Sequence, residues 1–372
     1  MSIKSVAFAV FVLLGASLLA FAQSGRVQQT PTPPRDDDTV RVSTEEIKLN
    51  VLAFDDKGEF FRDVTANDLV IVEGDILHQP ASVRRLPANV LIVMDTGGEL
   101  RSVKSLDKTR SVARRLIEAL QNGDSVALMQ YSDKAEVVGE WTSDKGQILA
   151  ALKRTNFGRK SVFVDALRLA TDLLLKDSIE NKHLVLITDG TDSNGRPSAK
   201  FDTFQRLLAT DISVHVLSFT SMEAADIEPR TKRTSNSPPR NALPDEVINQ
   251  LPPDVKIAAQ RPKVGPTVNM DRKLLKTLKS RKADLEVSQQ QLEKLAENTN
   301  GEFILPDSID EMIEKSALVA RMIDSTYVVT YVPKIPVVET RGASERNIDV
   351  TSKRSGLIVQ ARRKLIISSG KK

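Results

Sequence analysis

The chain has 372 residues, 40% hydrophobic and 27% charged, which supports sizeable cores and more than one typical domain. A formal net charge of +4, spread over so many charged residues, argues against a nucleic-acid-binding surface. The absence of cysteine excludes disulfides, zinc–thiolate centres, a cysteine nucleophile and a lipid-bearing cysteine.

Lys4, an apolar run over 6–21 and the small-x-small pattern Ala20-Phe21-Ala22 predict a cleavable export signal, residues 1–22. The run is short for a membrane span and polar chain follows it. A secreted or periplasmic chain, without a span once the signal is removed, is therefore expected. Residues 23–39 form a linker in which stiff prolines precede the self-repelling Asp36, Asp37 and Asp38. Ile47, Leu49, Val51 and Ala53 recur at every second position, the period of a half-buried strand. A turn over 55–58 and an apolar run over 69–72 complete a β-rich segment, 40–88.

The pattern changes at residue 89. An unbroken apolar run over 90–94 predicts a strand covered on both faces, as in a parallel sheet. A helical stripe follows through Leu106, Thr109, Ala113, Leu116, Ile117 and Leu120. Further buried strands are predicted over 126–129, 184–187 and 212–219, and helices over 166–174 and 201–208. This alternation predicts an α/β, doubly wound, Rossmann-like parallel sheet. Residues 221–268 hold eight of the 17 prolines and no apolar stripe, so they read as a flexible insertion. A long helix over 272–297, a short strand, a helix over 309–323 and three strands after 326 end the chain. Segments 40–88 and 326–372 are expected to pack together as a small sandwich-like β module, with 89–325 inserted between them.

In open α/β sheets ligands gather at the carboxyl ends of the strands, where Asp95 and Asp189 fall. Ser161 lies in the loop leading to the helix that contains Asp165. Asp192 and Ser193 read as loop residues near the same rim, and Trp141 as a packer over a sheet edge. Asp95-Thr96-Gly97 also spells an aspartic-protease motif, but that chemistry needs a second copy in an all-β fold. No glycine-rich phosphate loop is present, and His78, His183 and His215 stand near no Gly-x-Ser-x-Gly elbow. No catalytic residue is therefore expected, and hydrolysis ranks last among the functional readings.

Over 89–325, Asp95-Thr96-Gly97-Gly98-Glu99, Ser161 and Ile187-Thr188-Asp189-Gly190 resemble the von Willebrand factor A family and its metal-ion-dependent adhesion site. The resemblance implies Mg²⁺ (or Mn²⁺ or Ca²⁺) held by Asp95, Ser161 and Asp189, with an open position for an acidic group of a protein partner. Gly97 and Glu99 replace the family's two serines. Glu99 either supplies a substitute carboxylate or fills the open position with its own charge. Residues 51–58, 67–74 and 327–363 are similar to the VWFA-related secreted proteins described from Acidobacteria. Two functions stay open: protein interaction or adhesion through a degenerate metal site, and a metal-independent structural or assembly scaffold of the cell envelope.

Overall fold

The computed structural model describes residues 46–98, 103–176, 179–195, 197–238, 245–248, 250–261, 263–335 and 344–367. The expected export signal, the linker and Glu99 lie outside the described residues. Strands β1 (Ile47–Phe54), β2 (Leu69–Glu73), β3 (Ile76–His78) and β4 (Ser82–Arg84) come first. Next run β5 (Asn89–Asp95), α1 (Leu106–Ala119), β6 (Ser125–Tyr131), β7 (Ala135–Thr142), α2 (Lys145–Lys153) and α3 (Phe163–Leu174). They are followed by β8 (Lys182–Thr188), α4 (Pro197–Leu208), β9 (Ser213–Ser218) and α5 (Thr220–Ile227). The proline-rich stretch then contributes short pieces: β10 (Thr234–Ser235), α6 (Asp245–Ile248), α7 (Pro253–Gln260) and β11 (Thr267–Val268). Last come α8 (Arg272–Asn298), β12 (Phe303–Ile304), α9 (Ile309–Asp324), β13 (Thr326–Tyr331), β14 (Ser344–Ser352), β15 (Ile358–Ala361) and β16 (Lys364–Ile367).

The central sheet has the order β12-β9-β8-β5-β6-β7, parallel throughout except for β7, which pairs antiparallel with β6 at the edge. Successive side chains of β5 serve opposite cores, as the pleat requires. Val90, Ile92 and Met94 pack with Val112, Leu116, Val319 and Ile323 on the α1/α9 side. Leu91 and Val93 pack with Leu167, Ala170, Leu207 and Leu292 on the α3/α4/α8 side. Each such fully buried side chain contributes roughly 1.5–3 kcal/mol, which is why the run must be apolar without interruption. From β5 the chain moves one way to β6 and returns the other way to β8. The crevice that opens there is the usual ligand position of a doubly wound sheet. Met94 is level with Ile187, so Asp95 and Asp189 leave the sheet side by side.

The terminal segments form two antiparallel four-stranded sheets, β15-β1-β13-β4 and β16-β14-β2-β3. They share a core containing Leu49, Val51, Leu69, Ile71, Val329, Tyr331, Ile348 and Val350. Strand β1 pairs with β13 from Ile47↔Tyr331 to Leu52↔Thr326, so the α/β segment leaves and returns at one place. Within 221–268, Ile227 at the end of α5 is fully buried against Leu278 and Leu285 of α8. The amino-terminal part of the expected insertion thus packs as a helix, while Val255, Ile257, Val264 and Val268 stay exposed.

Candidate functional site

Asp95 ends β5 and Asp189 follows β8, and both are fully buried. Between them lies the ammonium of Lys104, with Nζ 2.6 Å from Asp95 Oδ2 and 2.9 Å from Asp189 Oδ2. Its side chain is 1% exposed. The Lys104 loop is pinned by Glu223 of α5, whose Oε1 accepts from the Val103 and Lys104 amides at 2.7 and 2.6 Å. A second cation, Arg281 of α8, donates from Nη2 to Asp189 Oδ2 at 2.9 Å and from Nη1 to Thr191 Oγ1. Two buried acids therefore face two cations, the compensation a buried charge requires.

Donors occupy the remaining acceptor sites as well. Asp95 Oδ1 accepts from the Gly97 amide at 3.1 Å, and Oδ2 from Ser161 Oγ at 3.3 Å. Asp189 Oδ1 accepts from the Thr191 amide at 2.9 Å and its hydroxyl at 2.6 Å. Burial alone would raise Asp189, but the charges of Lys104 and Arg281 and the Thr191 hydrogen bonds hold its carboxyl well below the usual carboxylate range. Burial opposes the charge of Lys104, and the two carboxylates outweigh it, so the amine stays an ammonium. Asp95 is pushed up, chiefly by burial and also by the neighbouring charge of Asp189.

Two glycines let the backbone close around this cluster. A Cβ on Gly97 would lie 1.8 Å from Lys160 O and 2.9 Å from Ser132 Cα, so the 132 and 160 loops occupy the room a serine would need. Gly190 has φ +65°, and a Cβ there would meet Ser288 Oγ at 2.5 Å. Helix α8 consequently sits directly on the Asp189 loop, where Ser288 Oγ donates to Asp189 O at 2.7 Å.

The fold thus brings Asp95, Ser161 and Asp189 together, while Glu99 lies outside the described residues. Ser161 and Ser193 bracket one another: the Ser193 amide donates to Ser161 O, and the Ser161 amide to Ser193 Oγ, both at 2.8 Å. Asp192 binds the Val164 amide at 3.2 Å near the start of α3. Trp141 is half-buried on edge strand β7 against the α3-side core. Sequence reasoning did not find Lys104, Thr191, Glu223, Arg281 or Ser288. A lysine directly before the helix-capping Ser105 looks like an ordinary solvated loop residue, and Arg281 is one cation in a run of them. Among the described residues, no group of three or more acids and histidines is arranged to hold a metal ion.

Beside the cluster lies a cleft of about 650 Å³, between α8 and the loops around residues 159–161 and 191–195. Among the described residues, no helix is long and apolar enough to cross a membrane.

A mostly parallel sheet with an acid at the carboxyl end of each of two neighbouring strands, one of them bonded to a loop hydroxyl, is von Willebrand factor A-like. Residues 90–191 match the family model of the von Willebrand factor type A domain. Among solved structures it is similar to the conserved hypothetical protein BatB from Bacteroides thetaiotaomicron: 17% identity over 63% of this chain and 98% of that one, TM-score 0.37. A von Willebrand factor type A protein from Catenulispora acidiphila is 10% identical over 88% of this chain and 74% of its own, TM-score 0.41. The manganese-loaded TRAP protein of Plasmodium vivax is 11% identical over 79% of this chain and 97% of its own, TM-score 0.37. No curated protein matches the chain.

Proposed function

We propose that this protein is an exported, non-enzymatic protein-interaction module whose adhesion-type crevice works without a metal ion. The observation that carries the reading is the Lys104 ammonium held between Asp95 and Asp189. A divalent ion such as Mg²⁺ demands near-octahedral oxygen ligands at 2.0–2.1 Å. The acids that would supply those oxygens are instead saturated by N–H and O–H donors, and Lys104 takes up the space between them. These residues do not fit a divalent ion. The same ion pairs disfavour hydrolytic chemistry, because neither carboxylate is free to act as a base or nucleophile. Export rests on the signal pattern at residues 1–22, and the interaction role on the family whose model residues 90–191 match. The partner is a protein, met at the carboxyl-end face of the sheet.

Thermal unfolding of the exported chain in chelator, and then in millimolar Mg²⁺, Mn²⁺ or Ca²⁺, tests this. A ligand that binds only the native state must raise the midpoint by mass action. The expected midpoint is the same in all four conditions. An ion-dependent rise that disappears in Asp189→Ala would replace this reading with a metal-dependent adhesion site.

A further inference from the structure

We propose that the cleft beside the Lys104 cluster is a metal-free docking site for the carboxylate side chains of an acidic polypeptide segment. The inference rests on the metal-independent reading above, and adds where the partner sits and what chemistry it carries. With Arg281 committed to Asp189, the lining still sets Arg159, Lys160 and Lys200 against Asp192 and Asp284, so positive charge is in excess. Asp192 is already engaged with the backbone: its two carboxylate oxygens accept from the Val164 and Asn194 amides at 3.2 and 3.1 Å. Lys200 donates at 2.8 Å to a neutral carbonyl, Gly190 O. Its ammonium lies 5.4 and 5.7 Å from the ring centres of Phe163 and Phe204. Burial pulls its pKa from 10.5 down to about 8, as expected of a desolvated and incompletely compensated cation. An incoming carboxylate would supply the compensation.

Helix α8 extends this positive surface. Arg272, Lys273, Lys276 and Lys279 are all exposed, and after the capping Asp271 no acid occurs before Asp284. Lys273 and Lys276 lie one helical turn before Thr277 and Ser280, two residues of the cleft wall, and so fall on the same stripe. A helix N-terminus favours acids, so Arg272 and Lys273 in the first turn work against the helix dipole. The helix dipole therefore gives no reason for Arg272 and Lys273, whereas an anionic partner does. Short-spaced carboxylates suit the cleft better than a continuous phosphate backbone. Asp192 and Asp284 would repel unbroken negative charge, and the hydroxyls of Thr277, Ser280 and Ser193 offer donors to individual carboxylates.

The test uses the full chain and a short fluorescein-labelled Glu/Ser peptide, followed by anisotropy in chelator and in Mn²⁺. Binding is expected in both conditions and should weaken with salt. The surface double variant Arg159→Gln/Lys160→Gln, and separately Lys200→Gln, should each weaken it roughly tenfold. Lys353→Gln/Arg363→Gln, exposed cations of the β-rich sheets, should leave it unchanged. Arg159 and Lys160 are exposed, so their double variant tests the cleft even if Lys200→Gln folds poorly. No binding, or equal weakening by the β-rich control pair, would overturn the proposal. Tighter binding of a labelled oligothymidylate than of the peptide would overturn it in favour of nucleic acid. Binding that vanishes in chelator would sink the metal-independent reading beneath it. Binding that survives chelator yet ignores both cleft variants would sink the cleft alone.

Discussion

At the scale of single residues, the cluster is a charge balance in which each member is tolerable only because of the others. Lys104→Ala would leave Asp95 and Asp189 buried, with Arg281 alone opposing them. Breaking a buried pair by removing one partner typically costs about 3–5 kcal/mol. The variant would also free a space between oxygens that already converge on it, where a divalent cation could restore the missing charge. Millimolar Mn²⁺ should therefore raise the calorimetric midpoint of Lys104→Ala while leaving the parent protein unmoved. With ion at a hundred times its dissociation constant the gain is about 2.7 kcal/mol. A variant as indifferent to Mn²⁺ as the parent would show that Lys104 does not stand in a cation site. Gly97 supplies the complementary case. Gly97→Ser restores a motif residue on paper, but its Cβ has no room beside Lys160 O. It should lower stability by roughly 2 kcal/mol or more, as overpacking against backbone does, and should confer no ion dependence in the same scans.

At the scale of elements, β8 and β9 carry a second buried polar device. The Glu302 amide donates to His215 Nδ1 at 3.2 Å, which leaves Nε2 to donate to His183 Nδ1 at 3.1 Å. His183 Nε2 then donates to Asn181 Oδ1 at 3.0 Å. The chain is satisfied only when both rings are neutral. Burial pushes His183 well below its ordinary value of 6.5 and His215 to about 4. Because the folded values are depressed, the stabilisation is complete above pH 6.5. It is lost as pH falls and the unfolded chain takes up protons the native state refuses, until about pH 4. For His215 this amounts to about 3 kcal/mol. Urea midpoints measured across that window should decline with acid, and His183→Leu/His215→Leu should flatten the decline whatever its own stability; an equally steep decline would rule the pair out as its source. The elements themselves were largely legible. Unbroken apolar runs at 90–94 and 184–187 mark doubly covered strands, and the stripe through Leu106 and Leu116 marks a helix, because each obeys one period. Strand β7 was not found: its residues are only half-buried and a bulge disturbs its pairing, so no clean alternation appears. The candidate site was half legible. Acids at the ends of two strands follow from the sheet pattern, but the lysine that reaches them is fixed by loop geometry, which leaves no periodic trace.

At the scale of the whole molecule, the question is whether the β-rich sheets and the central sheet unfold together. Polar side chains join them around the amino end of β9. Asn50 Nδ2 donates to Ser213 Oγ at 3.0 Å and to Asp211 O at 3.2 Å. Asn300 Nδ2 donates to Asn50 O at 2.9 Å and to Gln360 O at 3.2 Å. Arg362, only 2% exposed, donates to the carbonyls of Thr210 and Ile212. Burial lowers its pKa to about 10, so it remains charged at neutral pH and its hydrogen bonds are charge-assisted. Arg362→Ala would leave two carbonyls without these donors and empty a packed volume, a loss of roughly 2–4 kcal/mol. Trp141, the only tryptophan, lies on β7 of the central sheet, so its fluorescence reports that sheet from a residue outside the β-rich segments. If these contacts couple the two parts, urea curves by Trp141 fluorescence and by far-ultraviolet circular dichroism should coincide in the parent protein. Arg362→Ala should then shift both curves to lower urea by the same amount. A variant in which dichroism falls early while Trp141 keeps the parental midpoint would mean that the β-rich sheets unfold by themselves, and that Arg362 stabilises only its own side of the junction.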